Sequence, residues 1–254
     1  MTRAGSFFVR EGATYVPTGL GASPWTPDML GGIPLAGLSA HVLDRVPAVE
    51  GTHIARLTID ILGAVPQQPL TPKVTILREG RRLQLVQVEL LAGERCRVRT
   101  TGLRMRTIES PDHSLPLTRQ FPDIADIKSN RSGWAETIAI EGDFDTPGPG
   151  ARWVRITCPV VAGEPISPLE CVAMVSDFGS GIGSIVSPVE WSFANVDISI
   201  HLTRRPRGEW LLIDSGSESA GNGIGIANSR LSDFDGIIGS AHQTVFIDRV
   251  RPKL

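Results

Sequence analysis

The stretch DMLGGIPLAGLSAHVLDRV, residues 28–46, decides the fold prediction. Its apolar side chains recur at near-helical spacing, at Leu30, Leu35, Leu38, Val42 and Leu43. Asp28 stands close to the start of the predicted helix, and Pro47 directly follows the stretch. These residue types favour the two ends of a helix. We therefore predict the longest helix of the chain here.

Strand-like segments lie on both sides of this helix. The runs SFFVREG and ATYVPTG precede it, and three longer segments rich in β-branched residues follow it: HIARLTIDILGAV (53–65), KVTILREG (73–80) and RLQLVQVELLAGERCRVRTTGLRM (82–105). The turns REGRR and AGE interrupt these segments. The pattern predicts antiparallel strands that follow one another in a meander.

The second half of the chain repeats this order. A helix is predicted from about Pro168 to Ser176, and strands over residues 192–204, 209–219, 223–233 and 237–248 follow it. Aligning Asp60 in LTIDIL with His201 in ISIHLT gives an offset of 201 − 60 = 141. Two copies of one unit are the simplest explanation.

We divide the chain into an N-terminal unit at 1–115, a connector at 116–132 and a C-terminal unit at 133–254. The connector region is polar, contains prolines and shows no sustained periodicity. Each unit is predicted to contain two strands, one helix and about four further strands. This composition indicates an α+β fold in which a curved antiparallel sheet wraps around its helix.

The composition argues against several classes of function. The 254 residues carry a formal net charge of −2 with both signs mixed along the chain, so no basic stripe indicates nucleic-acid binding. No apolar run is long enough to span a bilayer, and the start of the sequence lacks a signal-peptide core. We therefore expect a cytoplasmic protein without a membrane span.

The sequence also shows no signal for a metal or a cofactor. Cys96, Cys158 and Cys171 are far apart and lack C-x-x-C spacing, so we expect reduced core residues. The glycine runs GLGASP, GSGIG and GNGIG lack dinucleotide or phosphate-loop spacing and are predicted to be turns. No serine is framed as G-x-S-x-G, which argues against an α/β-hydrolase nucleophile.

Several short motifs, taken in order, resemble a known family. They are GG at 31–32, SD at 176–177, NVDISIHL at 195–202, RPRGEWL at 205–211 and SAHQ at 240–243. Their order and spacing are similar to those of the double-hotdog acyl-CoA thioesterases related to bacterial thioesterase II. This resemblance implies a tandem hotdog fold and hydrolysis of an acyl-CoA substrate to a free acid and CoA.

The resemblance also implies a catalytic site in the C-terminal unit. In that family an aspartate, a Thr, Ser or Asn, and a glutamine hold a water nucleophile, and these positions match Asp177, Asn195 and Gln243. The backbone N–H of Gly32 matches the oxyanion donor at the start of the central helix. The chain departs from the family where Asn195 replaces the Thr of thioesterase II and Leu30 replaces a His found in many relatives.

The residue types themselves suit this chemistry. A carboxylate such as Asp177 is a base whose pKa rises in a dry, apolar site, and the amides of Asn195 and Gln243 can orient a water molecule. The offset of 141 places Ala36, Ile54 and Gly102 at the corresponding positions of the N-terminal unit, and none of these can activate water. One site per chain is therefore expected.

Two alternatives stay open at this level. Hotdog hydratases and dehydratases pair an acid with a His, but no His follows Asp177 in FGSGIGS. A non-catalytic protein that binds an acyl thioester or another small ligand is the other alternative, since a fold does not set a function. We further expect Trp25, Trp191 and Phe193 as candidate pocket walls, and a homodimer or larger homo-oligomer because exposed strand edges need partners.

Overall fold

A computed structural model describes residues 5–117, 119–122, 129–131, 133–144 and 146–250. The N-terminal part contains β1 (Phe8–Glu11), β2 (Thr14–Pro17), α1 (Gly32–Asp44), β3 (Thr52–Ile61), β4 (Leu70–Glu79), β5 (Leu83–Ala92) and β6 (Arg95–Arg106). The C-terminal part contains β7 (Ser129–Arg131), β8 (Ala135–Asp143), β9 (Thr146–Ile156), α2 (Pro168–Ser176), α3 (Gly179–Ile182), β10 (Trp191–Asn195), β11 (Asp197–Leu202), β12 (Trp210–Ser219), β13 (Ile224–Asp233) and β14 (Gly236–Arg249).

The two predicted helices are present, but the first begins later than the sequence pattern suggests. Met29 and Leu30 form isolated bridges to Pro66 and Ala22, so the chain stays extended until Gly31. The second helix has the predicted bounds, because Pro168 occupies its first turn and Ser167 and Glu170 form a reciprocal capping box. The predicted strands also form, with the segment 192–204 divided into β10 and β11.

All strands of the described chain belong to one antiparallel sheet. Its order is β1-β2-β4-β5-β6-β3-β11-β14-β13-β12-β9-β8-β7, and β10 pairs with β14. From the central pair of β3 and β11, the strands in both directions follow corresponding orders. The register agrees with the predicted offset, since Thr58 pairs with Thr101 and Ser199 pairs with His242, each 141 positions later.

The helices α1 and α2 pack antiparallel against each other. His41 Nδ1 lies 2.9 Å from Glu170 Oε1, and a methyl group on Gly37 would lie 3.0 Å from the side chain of Met174. The two contacts correspond to each other if each residue of α1 is matched to the residue 133 positions later in α2. Gly37 is then matched to Glu170 (170 − 37 = 133), and His41 is matched to Met174 (174 − 41 = 133). The alignment of Asp177 with Ala36 is therefore wrong, and its counterpart is Asp44.

The two offsets differ because the C-terminal part has eight more residues between its helix and its central strand. This longer connection contains α3, which has no counterpart after α1 among the described residues, whereas the end of β10 corresponds to the start of β3. The sequence prediction used the strand offset for the helix as well. An insertion between two regular elements changes the alignment of the elements on either side of it.

The core lies between the helices and the sheet. The helix α1 contacts β5 and β6, and α2 contacts β9, β11 and β12. Leu35, Leu38 and Leu43 of α1 are almost completely buried. Burial of each such side chain stabilises the fold by roughly 1.5–3 kcal/mol.

A second apolar cluster lies beside β9 and β12, around Trp153 and Leu212. Leu117 and Phe121 pack against it, and the Phe121 ring lies 5.3 Å from the Trp153 ring. These two residues belong to the predicted connector 116–132, whose positions 118, 123–128 and 132 lie outside the described residues. The described part of the connector thus covers an apolar surface of the sheet.

Two other expectations concern the cysteines and the membrane. Cys96, Cys158 and Cys171 are free, as expected, but only Cys158 is fully buried. The placement of Cys96 in the core is wrong, because it lies half-buried next to the β5–β6 turn. None of the helices in the described ranges is long and apolar enough to cross a membrane.

Candidate active site

Asp177 lies at the corner between α2 and α3. It is the C-cap residue of α2, in helical conformation, and its N–H donates to the carbonyl of Met174. Phe178 follows as the N-cap residue of α3. The turn directs the carboxylate of Asp177 towards the first residue of α1.

The start of α1 leaves no space beyond that carboxylate. A methyl group on Gly32 would overlap the carboxylate of Asp177, at 2.7 Å from Oδ2 and closer to Oδ1. The backbone of Gly32 does not adopt a positive φ angle, so backbone conformation does not require a glycine here. The close approach of the carboxylate does. The contact brings together residues from the two parts of the chain.

Asn195 is the partner of Asp177. It ends β10, where it pairs with Val245 of β14, and its Nδ2 donates a hydrogen bond of 2.9 Å to Asp177 Oδ1. Its Oδ1 has no donor among the described residues. The pair therefore presents one carboxylate oxygen and one amide oxygen that can both accept hydrogen bonds from a water molecule.

Gln243 lies behind this pair. It is almost completely buried in β14, where its Oε1 accepts a 2.7 Å hydrogen bond from the N–H of Ser180. Its Nε2 donates to the carbonyl of Asp177 at 3.4 Å. Both contacts are to the backbone of the corner, and Gln243 is not among the described residues that line the adjacent cavity.

Two serines support the same corner. Ser215 Oγ donates to the carbonyl of Gly179, and Ser229 Oγ donates to Ser215 Oγ, both at 2.9 Å. A methyl group on Gly179 would lie 2.5 Å from Ser229 Oγ. Sequence reasoning missed these serines. The signal that could have found them is a polar residue at an inward-facing position of a strand.

The surroundings of Asp177 change its acidity. Burial raises the pKa of its carboxyl group to about 6, and the hydrogen bond from Asn195 partly opposes this rise. A carboxylate with this pKa is mainly ionised at pH 7 and is a stronger base than an ordinary aspartate. The site therefore contains a base suited to neutral pH.

Asp177 and Asn195 open into a cavity of about 780 Å³. This volume lies in the range of about 300–1,000 Å³ that is typical of small-molecule sites. The larger apolar side chains that line it come from both parts of the chain: Phe7, Leu20, Trp25, Met29, Leu30, Ile33, Leu35, Ile61, Val65, Trp134, Phe144, Phe178, Phe193 and Val196. An apolar group can enter beside the carboxylate.

The three predicted wall residues have different positions. Trp25 and Phe193 line the cavity, with ring centroids 5.2 Å apart. Trp191 does not line it, because its ring lies under the guanidinium of Arg249 at 4.6 Å. Sequence reasoning missed Phe7 and Ile61 as wall residues, since only the fold brings these distant segments to the cavity.

The first turn of α1 supplies backbone donors. The N–H groups of Gly32 and Ile33 precede the first helical hydrogen bonds, and Pro34 has no N–H. Within the described ranges, no side chain caps this end of the helix. Gly32 and Ile33 both line the cavity. The helix dipole adds partial positive charge at this end, so the position favours a negative charge.

A metal has no evident binding group here. In the part of the chain that the structure describes, no cluster of three His, Cys, Asp or Glu side chains is arranged to bind a metal ion. Leu30, which stands where the resemblance implies a His in many relatives, is buried against the cavity. The corner after α2, the end of β10 and the start of α1 present to the cavity the side chains of Asp177 and Asn195 and backbone amides.

Several solved structures share this fold. A tesB protein from Mycobacterium avium subspecies paratuberculosis has a TM-score of 0.68 at 18% identity and covers 95% of this chain and 96% of its own. An acyl-CoA thioesterase II from Mycobacterium marinum has a TM-score of 0.68 at 16% identity, with coverage of 97% and 96%. A hot dog fold protein from Alicyclobacillus acidocaldarius has a TM-score of 0.76 at 14% identity, with coverage of 99% and 97%. These similarities show a hotdog-type fold.

Sequence comparison identifies the family. The search of curated proteins finds no match. A family model for the acyl-CoA thioesterase N-terminal domain matches residues 22–105, and one for the acyl-CoA thioesterase C-terminal domain matches residues 110–247. Since the second match alone covers more than half of the sequence, the chain belongs to the acyl-CoA thioesterase family.

Proposed function

We propose that the protein hydrolyses acyl-CoA thioesters to a free acid and CoA with a water molecule activated by Asp177. Thioester hydrolysis is the general activity of an acyl-CoA thioesterase. The proposal adds which residues of this chain activate and hold the water molecule. The observation that carries it is the 2.9 Å contact between Asn195 and Asp177 at the wall of a large apolar cavity. Asp177 has the free oxygen and the raised pKa that a general base needs.

The reaction begins when water attacks the thioester carbonyl carbon. Asp177 takes the proton from the attacking water, and Asn195 Oδ1 accepts a hydrogen bond from its second hydrogen. A carbon–oxygen bond forms and the carbonyl electrons move onto oxygen. When the intermediate collapses, the carbon–sulfur bond breaks, the acid is released, and the thiolate of CoA takes up the proton that Asp177 removed from the water, which restores the base.

The charge on the intermediate needs donors. We assign this role to the N–H groups of Gly32 and Ile33, which lie at the positive end of the α1 dipole. The short distance between Gly32 and Asp177 supports this assignment, because it brings the base and these donors to one part of the cavity. Loss of a donor of this type typically lowers turnover about 10²–10³-fold.

Gln243 completes the predicted set of catalytic residues, and its contacts favour a positioning role. It bonds the backbone of Asp177 and Ser180, and so fixes the corner from which the carboxylate projects. The matched Thr-type position is Asn195, whose amide supplies both a donor to Asp177 and an acceptor to water. The proposal therefore keeps all three residues, with direct contact to water for Asp177 and Asn195.

We further propose that the fold is a tandem hotdog with units at 1–115 and 133–254 joined by the connector 116–132. The repeated strand order and the shared 141-residue offset support two equivalent units. The contacts of α1 with β5 and β6, and of α2 with β9, β11 and β12, support a sheet around a helix in each unit.

We also propose a homodimer or larger homo-oligomer in the cytoplasm. The free cysteines support a reducing compartment. Only Leu70 of β4 pairs with β2, so the rest of this strand is an open edge of the described sheet. Val74, Ile76 and Leu77 are 43–49% exposed on it, and a second chain would cover them.

Free-thiol release from short, medium, long and aromatic acyl-CoA thioesters tests the function. We expect release with at least one member, and loss of release in a folded Asp177→Ala variant. Release that is independent of Asp177 would remove this residue from the mechanism. No release from any thioester would instead favour the non-catalytic binding alternative. Light scattering that shows only monomer would exclude the proposed assembly.

A further inference from the structure

Arg97 occupies an irregular position in β6. In the ladder with β5, Leu90 pairs with Val98 and Leu91 pairs with Cys96, so Arg97 has no opposite residue. Its carbonyl accepts a 2.9 Å hydrogen bond from the N–H of Leu62, just beyond the end of β3. A bulge of this kind redirects the side chain of the extra residue.

The redirected side chain lies next to the cavity that contains Asp177. Arg97 Nη1 lies 3.7 Å from the position that a methyl group on Gly63 would occupy. Gly63 and Ile61 both line the cavity. The guanidinium therefore lies next to Gly63 of the cavity wall, although Arg97 is not itself one of the lining residues.

Arg97 has no partner for its charge in the described part of the chain. Among the described residues, it forms neither an ion pair nor a side-chain hydrogen bond, and its Nε is buried without an acceptor. Its neighbour Arg99 in contrast faces Glu89, with Nη2 3.7 Å from Oε1. A buried N–H without an acceptor is costly, and an anion bound to this guanidinium would supply the missing acceptor.

The path from the base to Arg97 is short. The N–H of Ile61 donates a 2.8 Å hydrogen bond to the carbonyl of Val196, which follows Asn195. Gly63 is two residues further along, a distance of at most about 7 Å. An elongated ligand with its thioester at Asp177 can therefore extend along residues 61–63 to the guanidinium.

We propose that Arg97 binds a phosphate group on the pantetheine side of the thioester. This inference rests on the proposed function, which places the thioester carbonyl at Asp177 and Asn195. Guanidinium and phosphate form paired, charge-assisted hydrogen bonds, and the partly buried position of Arg97 strengthens them. Arg97 then contributes to substrate binding and has no part in the chemical step.

Three thioesters with the same acyl group locate the phosphate. Acyl-CoA carries the nucleotide phosphates, acyl-phosphopantetheine carries one phosphate, and acyl-pantetheine carries none. In Arg97→Gln, we expect the KM for acyl-CoA to rise about ten- to hundredfold with kcat unchanged. The KM for acyl-pantetheine is expected to stay the same. A rise for acyl-phosphopantetheine would assign the contact to its single phosphate, and no rise would assign it to the nucleotide part.

Arg99→Gln is the matched control, because Arg99 lies two residues away in the same strand and is 46% exposed beside Glu89. We expect its KM values to stay within about twofold of the wild type, as for an exposed pair. An equal rise of KM for acyl-CoA and acyl-pantetheine in Arg97→Gln would overturn the proposal, and so would unchanged KM values for both phosphate-bearing thioesters.

Direct binding separates this inference from the proposed function. Calorimetry with CoA itself is expected to show weaker binding to Arg97→Gln than to the wild type, whether or not any thioester is hydrolysed. Equal CoA affinity for the two proteins would contradict the inference while leaving hydrolysis intact. Thermal unfolding supplies the folding control, and we expect no loss of stability when the unpaired charge is removed.

Discussion

The ends of the two helices carry corresponding carboxylates in different environments. Asp177 follows the last residue of α2, is half-buried and contacts Asn195. Asp44 ends α1 at the equivalent position and is exposed. It borders a cavity of about 150 Å³, compared with about 780 Å³ at Asp177. The same position of the repeat thus carries a half-buried carboxylate with an amide partner in one copy and an exposed carboxylate in the other.

Neighbouring residues account for the difference. The strand offset of 141 places Ile54 where the other copy has Asn195, and Gly102 where it has Gln243. A methyl group on Gly102 would overlap the side chain of Leu43, which fills this space. Arg104 is also buried there and donates to the carbonyl of Leu43. A carboxylate at the helix end therefore needs a polar partner and free volume before it can act on a substrate.

The largest expected effect separates the two carboxylates. We expect Asp177→Ala to lower kcat about 10²–10⁴-fold, because the reaction loses its positioned base. Asp44→Ala is the matched control and should keep kcat within about twofold, as for an exposed residue without a reacting partner. Steady-state thiol release measures both variants. Comparable losses in the two variants would contradict the assignment of one site per chain.

Gly32→Ala tests the contact between the parts of the chain. The new methyl group would overlap the Asp177 carboxylate, so we expect kcat/KM to fall roughly 10–100-fold as the carboxylate moves away from Asn195. A methyl group on Gly31 would meet no atom closer than 3.7 Å, so Gly31→Ala should have a much smaller effect. Equal activity of the two variants would show that the close approach is not needed.

Stability is expected to change in the opposite direction to activity. Burial raises the pKa of Asp177 from 3.8 to about 6, so the folded state binds this proton more tightly than the unfolded state. The stability due to protonated Asp177 is fully present below about pH 4 and is lost as the pH rises through about 6. We therefore expect Asp177→Asn to be more stable than the wild type at pH 8 by about 1–3 kcal/mol.

Denaturant unfolding at pH 4 and pH 8 measures this difference. The gain should disappear at pH 4, where the carboxyl group of the wild type is protonated as well. Asp44→Asn is the control and should give no gain in the free energy of unfolding at either pH, because Asp44 is exposed and its charge favours that of the buried Arg104. A gain for Asp177→Asn that is the same at both pH values would have to come from packing.

The smallest effect concerns the amide beside the base. The hydrogen bond from Asn195 lowers the pKa of Asp177, so its loss in Asn195→Ala should raise that pKa further. We expect the acid limb of the kcat/KM profile to move to higher pH, together with a lower plateau. Ile54→Val, at the corresponding position of the other copy, should leave the profile unchanged. A profile that does not move in Asn195→Ala would show that this hydrogen bond does not tune the base.

Regular elements were predictable from the sequence because their periodicity is local. The strand offset of 141 agrees with the observed register, and the second helix has the predicted bounds. The connection that follows α2 has no periodicity, so the sequence pattern does not reveal its eight additional residues, and the strand offset wrongly aligns Asp177 with Ala36. An irregular segment carries little information about the alignment of the elements it joins.

The candidate site was predictable in part. The motifs singled out Asp177, Asn195 and Gly32, which the fold brings together. They gave no indication that Gln243 contacts the backbone of the corner, because the direction of a buried side chain depends on its neighbours. The bulge at Arg97 was also not predictable, since a single extra residue in one strand leaves no mark in the hydrophobic pattern.

The central pairing of β3 with β11 has a consequence for how the molecule can be divided. Ile59 pairs with Ile198 and Leu57 with Ile200, and all four side chains are buried. Residues 107–116 are exposed and lie outside every helix and strand. A chain cut there would yield two fragments, one with Gly32 and the other with Asp177 and Asn195. Thiol release on mixing them would then report their reassembly, and the single covalent chain keeps the two partners in equal number.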